Sequence, residues 1–299
     1  MSSKELRGVI PALITPMKKD GSVDFASMEK NVAYLSAAGV HGFFVNGTTS
    51  EGPILSRAEK KECVRLVKSV SGGKQAVCAA CIAPSANLVV EEIKDIESVG
   101  PDYVVCVTPF YYPVSQAVII DHFTKICGST ELPVIFYDIP QHTHNPIDLA
   151  TRMALVEAGL GVGMKDSSGD FAEFSRSVLS CPKKDFIWIQ GSDLLDAYSL
   201  GIGAKGMVTG LSNITPKPYL DLVACAERGD LAGLVKIQAR INEIARVIPA
   251  AGGRVIAAIK AAVAHLGRCE PWLRHTALTA TKGETDAVVA VLRGIPDLE

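Results

Sequence analysis

The sequence predicts an α/β fold, a (β/α)8 barrel followed by a C-terminal helical extension. Eight short apolar or β-branched runs alternate with helical segments over the first three quarters of the chain. The runs are apolar throughout, which is typical of parallel strands buried on both faces. Each strand-helix unit spans roughly 20 to 35 residues, which agrees with the size of this fold. An open doubly wound sheet is the alternative.

The predicted strands are bounded by Gly, Pro or polar residues and cover residues 9–15, 42–46, 76–82, 103–108, 134–137, 162–165, 186–190 and 206–210. Helical spacing fills the gaps, and Ser56-Arg-Ala-Glu59 fits a capping box at the start of one helix. After residue 229 the sequence predicts only helices, over 231–247, 254–266 and 281–292. We therefore expect a barrel in residues 1–229 and a three-helix extension in residues 230–299 packed on it.

Composition and charge narrow the functional classes. With 48% hydrophobic and 21% charged residues, the 299-residue chain has the profile of an ordered globular protein. Its formal net charge is −2 and it has no basic run, so nucleic acid and anionic membranes are not expected partners. Its apolar runs are too short to span a bilayer, and its polar start lacks a signal-peptide apolar region. We expect a cytoplasmic protein with eight reduced cysteines.

Three short motifs have functional interpretations that their context does not favour. Cys78-Ala-Ala-Cys81 has redox spacing but lies inside a strand-like run, so buried structural thiols are favoured. The GxGxxG pattern in residues 201–206 follows a helix and opens a strand, the reverse of a dinucleotide site. His142 and His144 could serve a metal-dependent aldolase or hydrolase, but no third ligand is evident. We expect neither a cofactor nor a metal.

In a barrel enzyme the active site lies at the carboxyl ends of the strands, which directs attention to Lys165. This lysine ends the apolar run Val162-Gly-Met, where its ammonium would point into a narrow and poorly solvated barrel mouth. Desolvation favours the neutral amine of a lysine, the form that attacks a carbonyl. A buried ion pair with Asp166 or another carboxylate is an equally good interpretation. Lys260, in an apolar helix, is predicted to be a snorkelling surface residue.

Two further segments could complete such a site. Tyr137 lies one strand-helix unit before Lys165, so its phenol could shuttle protons at the same height in the barrel. A tyrosine that closes the core is the alternative. Gly47-Thr48-Thr49 offers hydroxyls and backbone N–H groups in a tight turn before a helix, which suits a carboxylate. An ordinary turn stabilised by the threonine hydroxyls is the alternative.

Six separated motifs carry a resemblance to a known superfamily: PALITP from Pro11, GTTSEG from Gly47, TPFYY from Thr108, YDIP from Tyr137, MKDSSGD from Met164 and GMVTG from Gly206. Over essentially its whole length the chain resembles the dihydrodipicolinate synthase and N-acetylneuraminate lyase superfamily. Members of this superfamily are class I pyruvate-dependent aldolases. The resemblance implies a metal-independent lyase.

The resemblance also implies roles for individual residues. Lys165 would form an imine with a 2-oxo acid such as pyruvate, and Tyr137 would relay protons. Thr48 and Thr49 would hold the carboxylate of the 2-oxo acid, with Thr48 also part of the proton relay.

Two implications concern the surroundings of the imine. The carbonyl of Val208 would line the pocket, and Tyr111 would reach into a neighbouring subunit's site to complete the relay through Thr48. Family members are usually tetramers built as pairs of dimers. A homotetramer is therefore expected here.

Departures from the synthase motif bear on the substrate. The synthase pattern has an arginine two positions after the proline of YDIP, where it clamps the carboxylate of a semialdehyde substrate, but here that position is His142. An imidazole cannot replace a bidentate guanidinium without loss. Ser50 and Asp138 stand where relatives usually carry Gly and Asn, and neither is expected to touch the imine chemistry.

Residues 165–170 and 191–193 look more like those of 2-keto-3-deoxy sugar acid aldolases. The leading hypothesis is reversible aldol cleavage of a 2-oxo-3-deoxy acid to pyruvate and an aldehyde, with His142, Ser167 and Ser192 contacting the substrate's hydroxyls. The alternatives are dihydrodipicolinate synthesis from pyruvate and aspartate semialdehyde, a 2-keto-3-deoxy acid dehydratase, and a barrel that only binds small molecules.

Overall fold

The structure, a computed structural model, describes residues 4–296 and residue 298. Eight parallel strands form one sheet in the order β1-β8-β7-β6-β5-β4-β3-β2. Their bounds are β1 Gly8–Pro11, β2 Gly42–Val45, β3 Ala76–Cys81, β4 Tyr103–Val107, β5 Val134–Asp138, β6 Gly163–Asp166, β7 Ile187–Gln190 and β8 Gly206–Thr209.

β1 and β2 are the two edge strands of this sheet, and they bond to each other so that the sheet closes. The His41 amide donates to the Val9 carbonyl at 2.9 Å, and the Leu13 amide donates to the Phe44 carbonyl at 3.0 Å. Ala12 and Phe44 form a parallel bridge between the same two segments. The predicted (β/α)8 barrel is confirmed, and the open doubly wound sheet is wrong.

Helices follow the strands and cover the outside of the barrel. Those of the barrel are α1 Phe25–Ala38, α2 Arg57–Ser71, α3 Ala86–Glu97, α4 Gln116–Cys127, α5 Pro140–Thr143, α6 Leu149–Glu157, α7 Phe171–Ser180, α8 Asp196–Gly201 and α9 Lys217–Glu227. The predicted capping box is present, with reciprocal bonds between Ser56 and Glu59 at the start of α2.

The C-terminal helices are α10 Leu231–Ala245, α11 Val247–Ala250, α12 Val255–His265 and α13 Lys282–Arg293. The helix predicted over 231–247 ends two residues early, at Ala245. Pro249 has no N–H with which to bond the Ala245 carbonyl four residues earlier. Of the helices in residues 4–296, none alone is long and apolar enough to cross a membrane, and Leu231–Ala250 with Val255–His265 reach that length and composition only across a 105° bend. The boundary at residue 229 stays a prediction.

The first strand is shorter than predicted. Its ladder with β8 ends at Pro11. The Ala12 amide still donates to the Thr209 carbonyl of β8 and the Leu13 amide to the Phe44 carbonyl of β2, and beyond these two bonds the backbone is bonded to loops. The Ser50 hydroxyl donates to the Leu13 carbonyl at 2.6 Å, and the Ile14 amide donates to the Asn213 side chain at 3.2 Å. These loop contacts replace the strand pairing that the apolar run suggests.

Side chains alternate between the inside and the outside of the barrel along each strand. The inner cluster includes Phe44, Tyr137, Ile189 and Val208, all buried. Phe136 belongs to the outer cluster between sheet and helices. This alternation decides which strand residues reach the barrel mouth.

Candidate active site

Lys165 and Tyr137 lie side by side inside the barrel. The register of β5 with β6 pairs Tyr137 with Lys165, so their side chains end adjacent strands at one height. Lys165 is 4% exposed, and its Nζ lies 4.0 Å from the ring centroid of Tyr137 and 4.2 Å from that of Phe44. The two rings meet edge to face at 6.0 Å. The amine therefore sits in a buried site with two aromatic walls.

The ion pair suggested for Lys165 and Asp166 does not form. Asp166 lies on the opposite face of β6, where its Oδ2 is 2.7 Å from Nη1 of Arg152. Within the described residues, no carboxylate lies within 4 Å of the Lys165 amine. The sequence left a buried ion pair and a free amine equally plausible, and alternation along the strand leaves the amine without a carboxylate partner.

Ser167 and Gly191 complete the wall beside the amine. The Ser167 hydroxyl lies 3.4 Å from the Tyr137 hydroxyl and 3.4 Å from the Gly191 carbonyl oxygen. A Cβ atom added at Gly191 would lie 2.0 Å from the Ser167 Oγ and 3.0 Å from the Lys165 Cε. Only a glycine therefore leaves these two side chains in place.

If Lys165 forms the imine that the sequence predicts, Gly191→Ala should slow its formation by about 10- to 100-fold, because a displacement near 1 Å costs that much in rate. The measurement is the rate of borohydride trapping of pyruvate on Lys165. Gly201→Ala is the matched control, since a Cβ there meets nothing within 4 Å. Equal trapping rates in the two variants would show that Gly191 does not shape the site.

A strained loop after β2 carries Thr48 and Thr49, both half-buried. Asn46 and Glu51 flank it with φ angles of 62° and 57°, in the left-handed region. The Glu51 amide donates to the Thr48 carbonyl at 3.0 Å, and a Cβ at Gly52 would lie 1.7 Å from the Asn46 carbonyl oxygen. The fold therefore holds this backbone in a tight turn that several surrounding contacts fix.

Lys260 anchors this loop from the C-terminal helices, so its prediction as a snorkelling surface residue is wrong. The side chain is fully buried, and its Nζ donates to Glu51 Oε1 at 2.6 Å and to the Trp272 carbonyl at 2.9 Å. Burial lowers the pKa of Lys260, and the Glu51 carboxylate opposes that shift. All residues of α12 from Ala257 to Val263 are buried, so the ammonium has no route to water.

The other predicted residues lie around the mouth at different depths. Val208 is buried in the inner cluster with Tyr137, and Ser192 is half-buried, its amide donating to Gln190 Oε1 at 2.9 Å. Tyr111 is 80% exposed with φ 80°.

His142 lies on the short helix α5 and is exposed. The structure thus brings Lys165, Tyr137 and Ser167 together. Within one chain it leaves Tyr111 and His142 in solvent.

The structure also shows where the three weaker motifs lie. Within residues 4–296 and 298, no three His, Cys, Asp or Glu side chains lie close enough to share a metal ion, so His142 and His144 have no third protein ligand. Cys78 and Cys81 are buried on β3, and burial raises the pKa of both thiols. Residues 201–206 connect α8 to β8, in the order opposite to a dinucleotide site.

Sequence reasoning missed two groups that shape the site. Phe44 faces the same interior as Tyr137, which period-two alternation within β2 could have indicated. Arg152, buried on α6, contacts Asp138 and Asp166, the residues that directly follow Tyr137 and Lys165. No local pattern marks this arginine, because its role depends on packing between elements.

Fold and site together define a (β/α)8-barrel protein with Lys165, Tyr137 and Ser167 gathered at the carboxyl ends of the strands, where barrel enzymes place their active sites. The sequence profile of the dihydrodipicolinate synthetase family matches residues 5–295. The chain belongs to this family, and through it to the dihydrodipicolinate synthase and N-acetylneuraminate lyase superfamily of class I aldolases.

Individual relatives agree with this assignment. An uncharacterized DapA-like lyase of Halobacterium salinarum is 33% identical over 86% of this chain and 84% of its own. A 4-hydroxy-tetrahydrodipicolinate synthase of Anaeromyxobacter is 32% identical over 90% of both chains. Among solved structures, the dihydrodipicolinate synthase of Bacillus anthracis superposes with a TM-score of 0.91 at 28% identity, covering 98% of this chain and 99% of that one. The Acinetobacter baumannii enzyme, complexed with pyruvate, gives 0.90 at 26% identity, covering 97% and 100%.

Proposed function

We propose that this protein is a Schiff-base lyase that reversibly cleaves a 2-oxo-3-deoxy acid to pyruvate and an aldehyde. The observation that carries the proposal is the Lys165 amine, buried beside the Tyr137 phenol and without a carboxylate partner in the described chain. A structural lysine at this depth would be expected to have an ion-pair partner, as Lys260 does. A nucleophilic amine needs free access to a carbonyl carbon instead.

The chemistry begins with attack of the Lys165 nitrogen on the C2 carbonyl of the substrate, and loss of water gives a protonated imine. When the bond between C3 and C4 breaks, its electron pair moves into the imine and forms an enamine. The C4 hydroxyl loses its proton to the Tyr137 relay, and C4 leaves as an aldehyde. Protonation of C3 and addition of water then release pyruvate and the free amine.

The aromatic walls support the charged stage of this sequence. The faces of Phe44 and Tyr137 lie about 4 Å from the position of the nitrogen, at 4.2 Å and 4.0 Å. Such faces attract a cation, and the protonated imine carries its positive charge at this nitrogen. The Ser167 hydroxyl, 3.4 Å from the Tyr137 hydroxyl, extends the proton route toward the mouth.

The carboxylate of the 2-oxo acid would bind at the loop of Thr48 and Thr49. That loop offers hydroxyls and backbone N–H groups in a turn whose shape is held by buried contacts. Fixed donors of this kind bind an anion without a cationic side chain.

The choice of an aldolase over a synthase depends on His142. This exposed imidazole occupies the position where the synthase motif has a carboxylate-clamping arginine, and it cannot make the bidentate contact. Hydroxyls at Ser167 and Ser192 suit a polyhydroxylated aldehyde portion better than a second carboxylate. Dihydrodipicolinate synthesis is the second candidate, because relatives at 32% identity are named 4-hydroxy-tetrahydrodipicolinate synthases.

We further propose that the protein works in the cytoplasm as a homotetramer, in which Tyr111 reaches a neighbouring subunit's site. The exposure of Tyr111, 80% in a single chain, supports a role outside its own barrel.

Borohydride trapping tests the imine directly. The protein is incubated with pyruvate and borohydride, digested, and analysed by mass spectrometry. We expect a reduced pyruvyl adduct on the Lys165 peptide and none in a sample without pyruvate. Absence of the adduct would overturn the Schiff-base mechanism and every substrate assignment built on it.

A substrate panel then separates the candidates. We expect pyruvate release from at least one 2-oxo-3-deoxy sugar acid and no efficient condensation of pyruvate with aspartate semialdehyde. Efficient condensation would replace the aldolase by the synthase, and loss of water without carbon–carbon cleavage would indicate a dehydratase. An adduct without turnover on any compound would indicate a binding protein.

A further inference from the structure

The ends of strands β5 and β6 are joined on their outer side by a buried charged cluster of Asp138, Arg152 and Asp166. Nη2 of Arg152 donates to Asp138 Oδ2 at 2.6 Å, and its Nη1 lies 2.7 Å from Asp166 Oδ2, an ion-pair contact whose angles fall short of a hydrogen bond. All three residues are at most 1% exposed. We call this group the Arg152 triad.

We propose that Arg152 is a positioning residue for Lys165 and Tyr137, acting through the two aspartates that directly follow them in the chain. This proposal rests on the proposed Schiff-base function.

The Arg152 triad is placed so that it can fix the relative position of Tyr137 and Lys165. Tyr137 pairs with Lys165 across the two strands, and Asp138 pairs with Asp166 one residue further. Alternation sends the first pair into the barrel and the second pair outward. One guanidinium that holds both outer side chains therefore limits sliding or splaying of the two strand ends, and with it the separation of the reactive pair.

Arg152 is itself held rigidly by neighbouring elements. Its Nε donates to the Ile147 carbonyl at 2.8 Å, and its Nη1 donates to the Ser177 hydroxyl on α7 at 3.2 Å. The planar fork of an arginine can satisfy several acceptors at fixed angles, which a lysine cannot do. The triad thus connects two strand ends to the helices α6 and α7 behind them.

Asp138 makes the arrangement sensitive to pH. Burial raises the pKa of its carboxyl to about 6, against the attraction of Arg152 and with added repulsion from Asp166. Those two residues, on α6 and β6, are the charged groups that act on it. Below that pH a protonated Asp138 binds the guanidinium less strongly, so Asp138→Asn imitates the acid form of the native protein.

The raised pKa of Asp138 also makes the free energy of unfolding depend on pH. The native carboxyl binds its proton more tightly than the unfolded one, whose pKa is near 3.8. Protonated Asp138 therefore stabilises the native state relative to the unfolded state. This stabilisation is fully present below the unfolded pKa of 3.8 and is lost as the pH rises through about 6. Asp138→Asn removes this part of the pH dependence.

The experiment compares Arg152→Lys and Asp138→Asn with the native protein by the rate of cyanoborohydride trapping of pyruvate on Lys165, between pH 5 and pH 8. Glu92→Gln is the matched control. Glu92 accepts from Lys60 at 2.6 Å in a buried ion pair between the helices α2 and α3, which contains no residue of β5 or β6. All variants are checked for folding by circular dichroism and for thermal midpoint.

We expect Arg152→Lys to trap at least about tenfold more slowly than the native protein at pH 8, because the reactive pair is displaced. Asp138→Asn should also be slower at pH 8, and its ratio to the native rate should approach one at pH 5. Glu92→Gln should trap at the native rate at every pH, even where its thermal midpoint is lower.

Other results would overturn either this inference or the proposed function, and the two cases can be told apart. If Arg152→Lys and Asp138→Asn are folded and trap like Glu92→Gln at every pH, the triad serves stability alone and the inference is wrong. If Arg152→Lys does not fold, Asp138→Asn decides by the same criterion. If the native protein itself forms no adduct, the proposed function fails, which is a different result from a native adduct unchanged in the variants.

Discussion

Lys165→Ala is expected to lower turnover of the 2-oxo acid substrate by at least about a thousandfold, since the covalent route through the imine is lost with the nucleophile. The measurement is the rate of pyruvate release at saturating substrate, together with borohydride trapping, which should show no adduct. The variant should stay folded, because Lys165 makes no ion pair within the described chain whose other half would be left buried and unpaired.

Two controls make this result specific. Lys165→Arg keeps the positive charge but cannot form an imine, so it should be as inactive as the alanine variant. Lys205→Ala removes an exposed lysine just before β8 and should leave turnover unchanged. Full turnover by Lys165→Ala would contradict the central assignment.

Lys260→Ala is expected to be the most destabilising single change considered for this chain. Removal of the ammonium leaves Glu51 buried with an unpaired charge, and breaking such a pair costs about 3–5 kcal/mol. The measurement is the shift of the urea midpoint of unfolding at constant m-value. Because Glu51 ends the loop of Thr48 and Thr49, the variant should also bind pyruvate more weakly at temperatures where it remains folded.

A double replacement separates the charge from the packing. Lys260→Met together with Glu51→Gln keeps similar volumes and removes both charges, so we expect it to recover most of the lost stability. Lys282→Ala, which breaks the exposed pair with Asp286, should leave the midpoint unchanged. A loss in Lys260→Ala no larger than in Lys282→Ala would show that the buried pair is not what anchors the loop.

The site was only partly predictable from the sequence. Lys165, Tyr137 and the two threonines lie at strand ends, and the alternation of strands and helices locates strand ends to within a residue or two. Burial of Lys260 could not be seen in the same way, because an apolar helix with one lysine is equally compatible with a surface position. Lys260 is buried because α12 lies against the loop after β2, where Lys260 contacts Glu51, 209 positions earlier in the chain.

Local periodicity by itself determined the number and order of strands, the capping of α2, and the placement of Lys165 at the end of a buried strand, since each depends on a few neighbouring residues. The tertiary structure decided which partner each buried charge has. Alternation and packing pair Asp166 with Arg152 rather than with Lys165, and Glu51 with Lys260. The physical reason is that desolvated charges must be satisfied by whatever the fold brings within hydrogen-bonding distance, and only the packing of distant elements determines what that is.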